Sequence, residues 1–253
     1  MFNTCKLLLL GAVLSVSACA EYSPVVRNTS PASRGVRFAD AALSGGLPQA
    51  ALNATRTVLE HEPHNVQALL QQGDALSTLG RWDAAMEAYR RILSPAASPS
   101  GEQTRRAQMG VGRAELAAGH ATQAETAFRA LVAAAPTDAA AHSGLGIALD
   151  LQDRHPEAQT EYRAALAQAD SDGTRVNLGL SLAMAGDGAG AIAVLRPLAQ
   201  DPSAGPKIRH NLAFALAMAG DKPAAERMLS ADMPREQVVA ALAGYTALRP
   251  AFP

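Results

Sequence analysis

Cysteine is almost missing from this chain: Cys5 and Cys19 are the only two in 253 residues. Everything after Cys19 therefore lacks disulfides, thiolate metal ligands and a catalytic thiol. Aromatic residues are scarce as well, at 4%, which suits a β-rich enzyme core poorly. Neither sign of charge prevails, and a formal net charge of -1 offers no basic footprint for nucleic acid. Gly-x-Ser-x-Gly, a glycine-rich phosphate loop and His-Glu-x-x-His do not occur either. His61 and His64 stand three apart, but Pro63 between them marks a helix end, so they share no helical face. His120, His142, His155 and His210 are scattered. These gaps predict a non-enzymatic protein with no catalytic residue, no cofactor and no metal.

What the chain has in quantity is apolar residues, 48% of it, and these recur with a long period. From Arg105 to Pro136 the sequence reads as a helix, a glycine turn at Gly119, a second helix and a proline stop. Gly112 and Ala124 are small, as two antiparallel helices require where they cross, while Ala124, Phe128 and Leu131 form one apolar stripe. The same frame fits from Ala32, Val66, Arg105, Ala139, Asp172 and Pro206, at offsets of 34, 39, 34, 33 and 34. Position eight is Ala39, Gly73, Gly112, Gly146, Gly179 and Ala213; position twenty is alanine in all six copies. Position fifteen is glycine except for Asp153, a residue that tolerates a left-handed turn. Spacing and residue types resemble the tetratricopeptide repeat, a helix-turn-helix unit of 34 residues. The expected fold is all-α: a superhelical solenoid of about six repeats over 32–233, closed by a capping helix and tail over 234–253.

Three local expectations accompany this frame. Trp82 and Tyr89 should fill the gap between helices of the second repeat, and Pro197 should kink or end its helix. The five extra residues between repeats two and three fall in the run from Ser94 to Gly101, a loop that is either a tolerated insertion or a hinge.

Ahead of the repeats, Lys6 and the apolar run from Leu7 to Val16 have the layout of an export signal over 1–18. Val16-Ser17-Ala18-Cys19 resembles the bacterial lipobox, which implies acylation of Cys19 and a membrane anchor. Residues 19–31, with Pro24, Pro31 and polar neighbours, read as a flexible tether spanning on the order of 20 Å.

In the tetratricopeptide family the inner surface is lined from the first helix of each repeat, chiefly at positions two, five, nine, twelve and thirteen. Position nine is Asp40, Asp74, Arg113, Ile147, Leu180 and Phe214, and position five is Val36, Leu70, Met109, Ser143, Val176 and His210. The groove thus starts acidic, carries Arg106 and Arg113 in its middle and ends apolar. A protein partner is expected to meet Arg106, Met109, Arg113, Ile147, Val176, Leu180, Met184, His210, Phe214 and Met218. These residues are expected to stand outside the inter-repeat core.

The C-terminal half carries a finer likeness. The segments Asn177 to Asp187 and Asn211 to Asp221 answer each other 34 residues apart, and with the run Leu195-Arg196-Pro197-Leu198-Ala199 and the lipobox they resemble the TadD family of the tight-adherence (Flp/Tad) pilus-assembly system. That resemblance implies an outer-membrane lipoprotein facing the periplasm, whose partner is a pilus secretin or an associated assembly component. An envelope lipoprotein that supports outer-membrane protein assembly, or regulates a cell-wall synthase, shares the same frame.

Overall fold

The computed structural model describes residues 30–248, so the export signal, Cys19 and the tether up to Thr29 lie outside them. Among the described residues there are thirteen helices and no strand. They come as six antiparallel pairs: α1 (Pro31–Ser44) with α2 (Pro48–His61), α3 (Val66–Thr78) with α4 (Trp82–Ile92), and α5 (Gly101–Ala117) with α6 (Ala121–Ala134). There follow α7 (Ala139–Asp150) with α8 (His155–Gln168), α9 (Asp172–Met184) with α10 (Gly188–Gln200), and α11 (Pro206–Met218) with α12 (Lys222–Ser230), then a single last helix, α13 (Arg235–Ala247). The backbones of first helices of adjacent repeats approach one another closely, whereas those of second helices stay further apart and meet only through long side chains. The first helices therefore line the tighter, inner side of the solenoid, and the second helices spread over the outer side.

Polar side chains cap the starts of seven of these helices. Asn65 accepts from the Ala68 amide at 3.0 Å, Asp138 from Ala140 and Ala141 at 3.0 and 3.1 Å, and Asp221 from Ala224 at 3.0 Å. Each offsets amides that the helix itself leaves unpaired. At α5 a reciprocal pair, Ser100 with Gln103, opens the helix at Gly101, ahead of the expected start at Arg105. Each repeat turns in the same way. The amide that closes each turn reaches back five positions: Leu47 to Ala42, Arg81 to Leu76, His120 to Glu115, Arg154 to Leu149, Asp187 to Leu182 and Asp221 to Leu216, all between 2.8 and 3.0 Å. That closure needs a left-handed residue just before it. Gly119 supplies it with φ 82°, and Asp153 takes the same conformation with φ 58°.

In the second to fifth repeats the residue at position twenty-four explains the glycine at position eight. A methyl group on Gly112 would stand 2.8 Å from Cζ of Phe128, and one on Gly146 would stand 2.5 Å from Cε1 of Tyr162. In the second, third and fourth repeats position eight is thus small to admit a ring. The next repeat applies the device from its other side: Gly110 faces Tyr89 and Gly144 faces Phe128, each too closely for a methyl to fit. Tyr89 and Phe128 are each clasped between two repeats and almost wholly buried, at 3% and 0% exposure. Burying one such ring contributes about 1.5–3 kcal/mol.

Three local expectations meet this geometry. Tyr89 is buried, but Trp82 is only half-buried, because it is the first residue of α4 and no preceding turn covers it. The helix holding Pro197 does not end there and runs on to Gln200; the proline is exposed and removes a single amide donor. The loop before α5 does not part the repeats on either side. Tyr89 reaches across it to Gly110, and Arg90 bonds the buried Glu115 at 2.7 Å.

Candidate protein-binding groove

On the inner side, between α5, α7 and the start of α9, lies a cavity of about 560 Å³. Arg106, Met109 and Arg113 reach it from α5, about one turn apart, so the helical period sets all three on one face. Ile147 and Ser143 reach it from α7, and Thr174 closes it from α9. Its floor is apolar: the edge of Phe128, the backbone of Gly144 and Leu116. The clasp described above builds this floor, since only a residue without a side chain at 144 lets the ring lie so close.

The three arginines on its wall differ in what they hold. Arg105 is engaged twice, with Glu102 at 2.8 Å and with Asp138 at 2.9 Å, which keeps it firmly protonated. Arg106 meets Asp74 at 3.2 Å. Asp74 in turn accepts from the Tyr89 hydroxyl at 2.6 Å, and burial together with that carboxylate pushes the phenol pKa well above its ordinary value. Arg113 is exposed, and makes no hydrogen bond or ion pair among the described residues. The cavity thus offers one unengaged guanidinium beside an apolar floor, a combination suited to holding a side chain or a segment of protein. Nothing in it pairs a nucleophile with a base, and among the described residues no three His, Cys, Asp or Glu side chains gather as metal ligands.

Arg106, Met109, Arg113 and Ile147 are therefore brought together in one cavity. The other expected groove residues run on along α9 and α11, outside it. Met184 is 41% exposed, and Val176, Leu180 and His210 are half-buried. The expectation that groove residues stand clear of the core fails for five of the ten, Ile147 and Val176 being partly buried against it. Met109 and Met218 are buried in it, at 6% and 7% exposure. Phe214 packs edge-on to Tyr245 of α13, with ring centroids 5.1 Å apart at 77°. The chain's own last helix thus packs against one of the residues expected to meet a partner.

Sequence reasoning missed Phe128, Gly144, Leu116 and Thr174 as part of the cavity. Thr174 bonds Ser143 Oγ at 3.3 Å, a contact between repeats. The rise of one repeat over the next sets such neighbours, and spacing within a repeat does not encode it.

The tetratricopeptide repeat family model matches residues 36–102 and 111–173, and a second model of the same repeat matches 173–197 and 206–231. Among solved structures, MamA from Desulfovibrio magneticus RS-1 is 24% identical, with 66% of this chain and 93% of that one covered and a TM-score of 0.58. TTC0263, a thermophilic repeat protein of Thermus thermophilus, is 20% identical, with 73% and 98% covered and a TM-score of 0.59. The pilF protein of Pseudomonas aeruginosa is 14% identical, with 85% and 97% covered and a TM-score of 0.67. At these identities the likeness concerns the fold alone. Comparison with curated proteins gives no match. Proteins of this fold generally serve as non-catalytic scaffolds that engage other proteins. With the repeat matched from the first helix pair to the sixth, the chain belongs to the tetratricopeptide repeat family.

Proposed function

We propose that this protein is a lipid-anchored outer-membrane scaffold, facing the periplasm, that assists assembly of a Flp/Tad pilus by holding a segment of the secretin or of a component bound to it. The observation that carries the binding reading is the inner cavity, with the unengaged Arg113 beside Met109, Ile147 and the edge of Phe128. It suits a partner side chain better than a reaction, because its polar side chains are guanidiniums and hydroxyls without a base. The lipobox around Cys19 supports the anchor, and the paired C-terminal segments support the pilus system.

Two variants test the reading. Cys19→Ser is expected to move the protein from the membrane fraction to a soluble form, and a serine variant that stays in the membrane removes the anchor. Arg113→Glu combined with Ile147→Asp is expected to lower secretin assembly and pilus output while helical content and protein level hold. Normal pili in that variant remove the inner cavity from the assembly step. If neighbouring genes encode cell-wall or barrel-assembly factors instead of a secretin, a secretion ATPase and a prepilin peptidase, the scaffold serves a different envelope machine.

A further inference from the structure

The outer side carries a second, different surface. Where α6 lies next to α8 the charges of the two second helices are matched: Arg129 stands 2.7 Å from Glu125 and 4.0 Å from Glu157, and Arg154 stands 2.8 Å from Glu125. Between α10 and α12 they are not matched. Arg196 on α10 and Arg227 on α12 are both exposed, and neither makes a hydrogen bond or ion pair among the described residues. Both line one cleft of about 490 Å³, whose floor is Leu212, Leu216 and Met228. The one carboxylate in its wall, Asp221, is already occupied as the cap of α12, accepting from the Ala224 amide at 3.0 Å. α12, which forms one wall of the cleft, runs only 9 residues, where the other second helices run 11 to 14.

Two guanidiniums against one carboxylate leave this apolar recess with surplus positive charge, which favours a negative group there. A carboxylate fits that need, because a guanidinium can grip it with two parallel hydrogen bonds. The leucine and methionine floor asks in addition for an apolar side chain next to the acid. A bilayer surface would reward many cations on a broad face; here there are two, set over a recess. We infer that this outer cleft docks a segment of a partner protein that places an aspartate or glutamate beside an aliphatic or aromatic side chain. The surface is separate from the inner cavity and does not depend on it.

The test is a displayed-peptide selection on the full chain, with peptides retained by the Arg196→Glu/Arg227→Glu double variant subtracted. Surviving peptides are expected to carry an acidic residue within one helical turn of Leu, Ile, Met or an aromatic. Their affinity is expected to fall about tenfold or more in the double variant, as for loss of a close charge pair, and to hold in Arg113→Glu. The milder Arg196→Gln, at a side chain that makes no hydrogen bond or ion pair among the described residues, should lower affinity in the same direction, and circular dichroism checks that all variants remain helical. The inference is overturned if no peptide survives subtraction, if survivors lack acidic residues, or if Arg113→Glu abolishes their binding. It is equally overturned if phosphatidylglycerol vesicles, but not peptides, lose the chain when both arginines are reversed.

Discussion

Arg154 Nη1 stands 2.8 Å from both carboxylate oxygens of Glu125, joining the turn of the fourth repeat to the second helix of the third. Burial alone would raise the pKa of that carboxyl, but hydrogen bonds from Gln152, Arg129 and Arg154 outweigh it and hold it at about 2, against an ordinary 4.5. A carboxylate with a depressed pKa stabilises the fold above its unfolded value and stops doing so as pH falls through the folded one. Glu125→Gln is therefore expected to cost about 1–3 kcal/mol at neutral pH. Urea midpoints of variant and wild type should converge between pH 4.5 and about 2. A gap that does not close in acid would mean the loss is one of packing.

His142 behaves in the opposite sense. Its Nδ1 faces Glu161 Oε2 at 2.6 Å and its Nε2 faces the Pro136 carbonyl at 3.0 Å. Both partners accept, so only the doubly protonated ring satisfies both. Burial opposes that charge; the bonds to Glu161 and Pro136 outweigh it and raise the pKa above 6.5. The stabilisation is fully present below 6.5 and is lost as pH rises through the higher folded value. His142→Gln should thus lose more stability at pH ~5.5 than at pH ~9, read again from urea midpoints. Equal losses at both would assign the ring a neutral, structural part.

The clasp around Tyr89 predicts a steric cost with a built-in control. Gly110→Ala would place a methyl 2.6 Å from the ring, which cannot swing away because its hydroxyl is tied to Asp74. Overpacking of this kind costs about 1–3 kcal/mol. Gly244→Ala, in α13 with nothing near its would-be methyl, is expected to gain about 0.5–1 kcal/mol from helix propensity alone. In a Tyr89→Leu background most of the Gly110→Ala cost should vanish, and a cost that persists would place the clash elsewhere.

Phe214 and Tyr245 supply a fourth test. Their edge-to-face contact at 5.1 Å predicts that Phe214→Ala loosens α13. A double-mutant cycle with Tyr245→Ala should give a coupling of about 0.5–1.5 kcal/mol. Hydrogen exchange in α13 should quicken in either single variant. No coupling would return Phe214 to the set of residues free to meet a partner.

Much of this was legible in the sequence for a physical reason. A turn that must adopt positive φ accepts few residue types, so Gly119 and even Asp153 announced themselves, and Ala124 marked a packed helix face. What could not be read was which neighbour each small residue serves. Gly110 and Gly144 answer rings in the preceding repeat, and Gly112 answers one in its own. The same limit hid the end of the groove: the apolar residues of α13 lie all around that helix, so nothing in its pattern shows that Tyr245 turns towards Phe214. The four groove residues that do converge share two neighbouring helices, where the repeat period alone fixes their facing.

Among the described residues, the two-sided clasps stand only at Tyr89 and Phe128, on either flank of α5. The corresponding position is Thr55 in the first repeat and Leu195 and Leu229 in the last two. Stretched between its two ends, the solenoid should accordingly give way first in the outer repeats and last around α5. The interlocked middle then behaves as a stiff segment between two springs. Cargo seated against Met109 and Ile147 would keep its grip while the rest of the chain lengthens under load.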